Sequence, residues 1–309
     1  TDSDYFEDLY PYLDADPELS RDSFVPHLLE ALSNEGQLTQ LWQYVGVYTI
    51  SARKADVGDG KGLTPEDYIR ILGENENYTS VFLPFMSQKE NILFLAADLI
   101  TAVYTDRETA SCSFDGASFA DLLHWINLIG TDEEIDEINT DLSEAVAFYE
   151  QIATPARIHS IGQNYGEPFT LAGFPLGEEY GHYYFSTGFR MAIPALASNK
   201  EGAWDFMRSR LVLDAQYDPQ IASQERFPNI PANWEAMERL SHDMLTEEEA
   251  QILFNLFAET TFAANYTDAS LREIILSSAQ PYFAGDKSLE ETVAQIQSRA
   301  GMYMAEKYG

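Results

Sequence analysis

The stretch Leu41-Trp42-Gln43-Tyr44-Val45-Gly46-Val47-Tyr48-Thr49-Ile50 is rich in aromatic and β-branched residues and free of proline. That composition predicts a strand. Alternation along a strand puts Val45, Val47 and Thr49 on one face and Trp42, Tyr44 and Tyr48 on the other, so aromatic rings line one side. Upstream, Asp16-Pro17 and Ser20 lead into an expected helix carrying Phe24, Leu28, Leu29 and Leu32 on one face, with Gly36 as its stop. Downstream, the glycine-rich run 56–62 reads as a flexible loop. It is closed by Thr64-Pro65-Glu66-Asp67, where Thr caps a helix, Pro takes its first position and the acids face its positive end.

Further along, residues 87–130 follow a helical pattern except around 105–116. Phe119, Leu122, Leu123, Ile126 and Ile129 form one apolar stripe there. The acidic run 131–144 reads as solvated surface. Short apolar runs punctuated by Gly and Pro at 169–175, and again across 183–193, predict two more strands. Asn199 caps an expected helix with Ala203, Phe206, Met207 and Leu211 inward. Ser288 and Glu291 form a capping box for a last helix buried along Val293, Ile296, Ala300 and Met304. The order of elements is α/β with helix predominating.

Charge excludes some partners. The 309 residues carry 51 Asp and Glu against 18 Lys and Arg, a formal charge of −33, which repels nucleic-acid phosphates and anionic lipid surfaces. Hydrophobic residues at 45% and aromatics at 13% still supply a packed core rather than an acidic disordered tail. Cys112 is the single cysteine and has no intramolecular disulfide partner. The longest apolar run, residues 92–103, is short of the roughly 20 residues a membrane span needs and contains Asp98.

Local catalytic signatures are absent: there is no Gly-x-Ser-x-Gly elbow, His-Glu-x-x-His pair, phosphate loop or dinucleotide fingerprint. Gly58, Gly60 and Gly62 lack the Lys-Ser/Thr pair of a phosphate loop. His27, His124, His159, His182 and His242 include no pair at the spacing of neighbouring metal ligands, so no metal or cofactor is expected. A pair of carboxylates at hydrolytic separation cannot be picked from the sequence, because that separation is spatial.

Several segments in a fixed order carry a resemblance. They are Glu7-Asp8-Leu9-Tyr10-Pro11-Tyr12-Leu13, Gly36-Gln37-Leu38-Thr39-Gln40-Leu41, and Ala55-Asp56-Val57-Gly58-Asp59 with Gly62-Leu63-Thr64-Pro65-Glu66-Asp67-Tyr68. Then follow residues 105–115, Asn199-Lys200-Glu201-Gly202-Ala203-Trp204-Asp205-Phe206-Met207 and Tyr282-Phe283-Ala284-Gly285-Asp286-Lys287-Ser288. Together the chain resembles the family 1 extracellular solute-binding proteins of bacterial ABC importers, mostly carbohydrate-type lipoproteins. The resemblance implies a two-lobe, type II periplasmic-binding-protein-like fold, with solute held in a cleft and no covalent step. Residues 1–47 and 183–213 would form a first lobe that lacks its N-terminal portion, and 48–182 with 214–309 the second. Hinge crossings would fall near Val47, Phe174 and Asp214.

The resemblance further implies a non-catalytic component that captures a small solute, an oligosaccharide by preference, and delivers it to ABC permease subunits. Such a protein is extracellular or periplasmic, peripheral to the membrane through a lipid anchor that this chain does not carry. The other readings are an acidic glycoside hydrolase and a non-catalytic surface interaction protein. Sugar sites pair aromatic faces with polar groups that satisfy the hydroxyls. The candidate ligand residues are therefore Trp42 and Tyr44 on the aromatic strand, Arg157 and His159 after the 148–149 aromatic pair, Tyr183, and Tyr266, each also open to ordinary packing. The family's strand carries a proline near Trp42 and in some relatives a polar side chain near Gly46, and this sequence departs at both. Trp125 and Trp204 lie on apolar helix faces and read as core.

Overall fold

The computed structural model describes residues 5–34, 36–60, 63–82, 87–131, 142–175, 183–218, 229–263 and 268–309. Most of the acidic run 131–144, with Gly62, His182 and Tyr266, lies outside the described residues. Eight strands are described: β1 (Leu41–Arg53), β2 (Thr105–Asp106), β3 (Ser111–Cys112), β4 (Ala147–Ile152), β5 (Phe169–Leu171), β6 (Tyr184–Met191), β7 (Ile230–Pro231) and β8 (Phe262–Ala263). Helices take up much more of the chain, the longest being Lys89–Tyr104, Ala269–Phe283 and Leu289–Tyr308. No described helix is long and apolar enough to cross a membrane.

The chain divides into two compact units. One holds Thr1–Tyr48, Gln151–Ile161 and Tyr183–Asn265; the other holds Thr49–Glu150, Gly162–His182 and Tyr266–Gly309. This grouping sets 151–161 and 214–265 with the first 48 residues, whereas the sequence reading sets them with the other lobe. Three of the crossings fall inside regular elements: β1, β4 and the helix Ala156–Tyr165.

In the first unit the leading half of β1 runs antiparallel to β6, from Leu41 opposite Met191 to Tyr48 opposite Tyr184. β7 pairs β1 at Tyr44 and Val45, and β8 lies parallel to β6. Leu28, Leu38, Leu41, Trp42, Phe185 and Phe257 are fully buried. Phe185 and Phe257 bring their ring centroids to 6.2 Å.

The expected helix after Ser20 is broken. Ser20 and Ser23 form a reciprocal cap around the single turn Arg21–Ser23, Phe24 is extended, and a short helix, Leu28–Leu32, starts only after His27 at φ 61°. Pro26 supplies the reason, since it has no N–H to donate and steers the residue before it away from helical angles.

The cap at Asn199 forms as expected, its side chain accepting from the Gly202 amide at 2.9 Å. Trp204, Met207 and Leu211 are buried on that helix, but Phe206 is 58% exposed. Two successive positions diverge by about 100° around a helix, so Phe206 and Met207 cannot both sit at the centre of a narrow buried face. Replacing Phe206 with Ser should leave thermal stability within about 0.5 kcal/mol, and replacing Met207 with Ala should cost about 2–3 kcal/mol. Paired melting curves check the contrast.

In the second unit, the trailing half of β1 pairs β5, with Ser51 opposite Leu171 and Arg53 opposite Phe169. Thr64 accepts from the Asp67 amide and Asp67 caps back onto the Thr64 amide, with Pro65 leading the helix. Ser288 and Glu291 form the same box. The run 56–62 begins inside a single helical turn, Lys54–Val57, and not in a loop. Tyr68 and Phe82 pack on Trp125, at 5.8 and 6.1 Å between centroids. Tyr104, Phe114 and Phe119 make a second aromatic cluster beside the hairpin β2–β3. The Gln297 side chain accepts from the Phe114 amide at 2.7 Å and donates to the Cys112 carbonyl at 3.0 Å. Burial, then the nearby Asp115 charge, pushes the Cys112 thiol above its ordinary pKa, which suits a packing role.

Candidate functional site

Five of the six ligand candidates lie in the first unit, and Gly46 is where the segments carrying them meet. A Cβ built there would stand 2.8 Å from the Ser186 hydroxyl of β6, 2.9 Å from the Ile152 carbonyl and 3.2 Å from the Ala153 Cα. Only a residue without a side chain allows that approach. The same close packing explains the missing polar side chain at this position. β7 completes the junction, with the Ile230 amide donating to the Ala153 carbonyl at 3.1 Å. Gln151, an exposed residue, donates to the Ser186 hydroxyl at 3.4 Å.

Trp42 is fully buried. Its indole N–H points to the Gln40 side-chain oxygen at 3.4 Å, and the Arg190 guanidinium lies 5.7 Å from its ring. A ring with no exposed surface packs as core and offers no face to a solute. Tyr44, two residues along and on the same side, is half-buried. Its hydroxyl accepts from the Gln43 side-chain Nε2 at 3.1 Å, and its ring meets that of Phe189 edge to face at 6.2 Å.

Arg157 is half-buried in the first turn of the helix Ala156–Tyr165, where its amide donates to the Thr154 carbonyl at 3.1 Å. His159, one helical face away, is exposed and pairs its Nδ1 with the Glu249 carboxylate at 2.8 Å. Glu249 is also the third residue of the helix Glu247–Glu259 and closes the capping box begun by Thr246. Burial alone would raise its pKa, but the Thr246 amide and His159 outweigh burial and hold it below the usual carboxylate value. Glu249 therefore bears a charge that both the helix end and His159 share.

Tyr183 precedes β6 and is buried. Burial first, and the Glu259 charge second, push its hydroxyl up to about 12. It is a neutral phenol across the physiological range. Tyr48 and the adjacent Tyr184 pack with their rings tilted at 33°, 4.9 Å between centroids. Tyr266 lies outside the described residues. Among the described residues no group of three or more His, Cys, Asp or Glu is placed to hold a metal ion.

Two features escaped sequence reasoning. Ser186 and Gln151 join the Gly46 junction, a contact set by register rather than motif. Phe189 sits between Gly188 and Arg190 of β6, which pair with Tyr44 and Trp42, and is 73% exposed at φ 59°. The one local signal for it is Gly188-Phe189 interrupting an otherwise strand-like run.

No family model matches the sequence, and no curated protein matches it. Solved structures do match. The sugar-binding protein MalE of Xanthomonas citri superposes with a TM-score of 0.68 at 12% identity, over 99% of this chain and 80% of that one. An ABC substrate-binding protein of Listeria monocytogenes in complex with cycloalternan gives a TM-score of 0.64 at 11% identity, over 98% and 81%. An extracellular solute-binding protein family 1 structure from Alicyclobacillus acidocaldarius gives 0.62 at 11% identity, over 98% and 80%. At these identities the likeness speaks for the backbone path, and it holds nearly end to end. The chain therefore has the helix-rich α/β periplasmic-binding-protein-like fold of the MalE-type binding proteins.

Proposed function

We propose that this protein is the solute-binding component of an ABC importer, working outside the cytoplasm, that captures a neutral oligosaccharide and delivers it to membrane permease subunits. The match to the MalE fold over 99% of the chain carries this reading. Neighbours of the same fold were solved with cycloalternan and with tagatose bound, which supports a sugar over other solutes. The formal charge of −33 repels anionic solutes at long range and leaves neutral ones unaffected. Binding is the whole of the proposed activity, with no bond made or broken. Of the first unit's candidates, Tyr44, Arg157, His159 and Tyr183 are the residues we propose to contact the solute, and Tyr266 is proposed on the family resemblance alone. We further propose that lobe limits follow the two compact units, so that 214–265 belong with the first 48 residues.

Calorimetric titration with maltose, maltotetraose, a cyclic tetrasaccharide and tagatose tests the reading. Saturable binding of at least one of them, with the sugar recovered intact, is the expected result. If no sugar produces heat or raises the melting temperature, the carbohydrate assignment fails. Recovery of cleaved sugar would replace it with the hydrolase reading.

A further inference from the structure

Phe189 spends stability on two counts. Its φ of 59° is an angle that costs a side-chain-bearing residue and suits glycine. Its ring, 73% exposed in water, recovers little of that cost through burial. A glycine stands one position earlier, at Gly188, where a Cβ would make ordinary contacts at 3.4 and 3.9 Å with the Tyr44 side chain. The left-handed turn thus falls on the aromatic residue and not on the neighbouring glycine. A strained backbone that holds a large apolar side chain out in solvent points to a contact outside the fold.

The surroundings narrow the chemistry of that contact. The Phe189 and Tyr44 rings meet at 72°, which makes an aromatic corner with one free ring and one half-buried ring. The Tyr44 hydroxyl and the Gln43 amide, 3.1 Å apart, add a hydroxyl and a carboxamide at its edge. Arg190 follows in the strand, with its guanidinium by the Trp42 ring, and it disfavours a cationic guest. An apolar face ringed by hydroxyls matches this set: ring C–H groups stack on the aromatic faces while hydroxyls bond to the amide and phenol.

We infer that Phe189, with Tyr44, is a stacking platform for a neutral pyranose ring and is held in place by its strained backbone. The inference rests on the carbohydrate reading above and adds to it the residue that grips the sugar. Phe189 is a binding residue that the sequence reading did not include.

The test uses Phe189→Gly and Phe189→Trp in the full chain, each titrated with the sugar that binds the parent most tightly and melted without it. Glycine relieves the backbone, so Phe189→Gly should melt at the same or a higher temperature while its Kd rises about tenfold or more. Phe189→Trp should keep Kd within about threefold, because an aromatic face remains. An unchanged Kd in Phe189→Gly, with the parent binding sugar, overturns the platform and leaves the importer reading intact. A parent that binds no sugar overturns the carbohydrate reading and the platform together.

Discussion

Removing the carboxylate of Asp268 by alanine substitution should destabilise the second unit by about 3 kcal/mol, which combines a lost helix cap with lost bonds to a charged acceptor. The side chain is 4% exposed and accepts from four donors: the Leu271 amide at 3.1 Å, the Tyr303 hydroxyl at 2.7 Å, the Lys307 ammonium at 3.1 Å and the Tyr308 hydroxyl at 3.2 Å. It thereby caps the helix Ala269–Phe283 and ties it to the last turns of the helix Leu289–Tyr308. Asp268→Asn keeps the cap and the shape and should lose less than alanine.

The two variants also differ in pH response. Burial alone would raise the pKa of Asp268, but Tyr303, the Leu271 amide and Lys307 outweigh burial and hold it below the ordinary carboxylate value. A lowered folded pKa means that the stabilisation is complete above the unfolded value, near 3.9, and drains away as the pH falls through the folded one. Melting curves from pH 7 down to pH 3 should therefore show a smaller acid loss for Asp268→Asn than for the parent. Equal acid slopes would remove Asp268 from the titrating groups that matter.

Gly46→Ala is expected to cost about 1–3 kcal/mol, the range for forcing a methyl into a filled space. Its Cβ would press on the Ser186 hydroxyl and on the Ile152 carbonyl, both under 3.0 Å away. The carbonyl belongs to the backbone and cannot swing aside. Adding Ser186→Gly should thus restore part of the loss and not all of it, which denaturation of the single and double variants would measure. Sugar affinity should fall along with stability, since the junction joins the strand of Tyr44 to the segment leading to Arg157. A fully tolerated Gly46→Ala would mean that the strands part there more easily than their spacing implies.

The elements that declare themselves in the sequence are those with local chemistry. Thr64-Pro65 with Asp67, Asn199 and Ser288 with Glu291 each carry a helix start in a few residues, and each cap forms with its expected partner. β1 is legible from composition, and the resemblance supplied the fold that the structural matches bear out. The misses come from competition between local signals. Pro26 interrupts the helix begun at Ser20, and Phe206 shares an apolar stretch with residues that do turn inward. The site was least legible because its geometry is tertiary. Nothing near Trp42 in sequence says that β6 and its neighbours bury the ring completely, and Gly188, the one local signal beside Phe189, does not say that the left-handed turn falls on Phe189 itself.

The division of the chain bears on its synthesis. The first unit takes its parts from residues 1–48, 151–161 and 183–265, so its earliest segment cannot finish folding as it leaves the ribosome. At about 5–20 residues per second, those first 48 residues wait roughly 10–40 s for residue 265 to be made. For roughly 7–29 s of that delay, until residue 191 is made, the Trp42 strand is without β6, its antiparallel partner. An unpaired aromatic strand is a segment that other chains can capture, so the nascent protein depends on being kept apart from its copies until the later segments arrive.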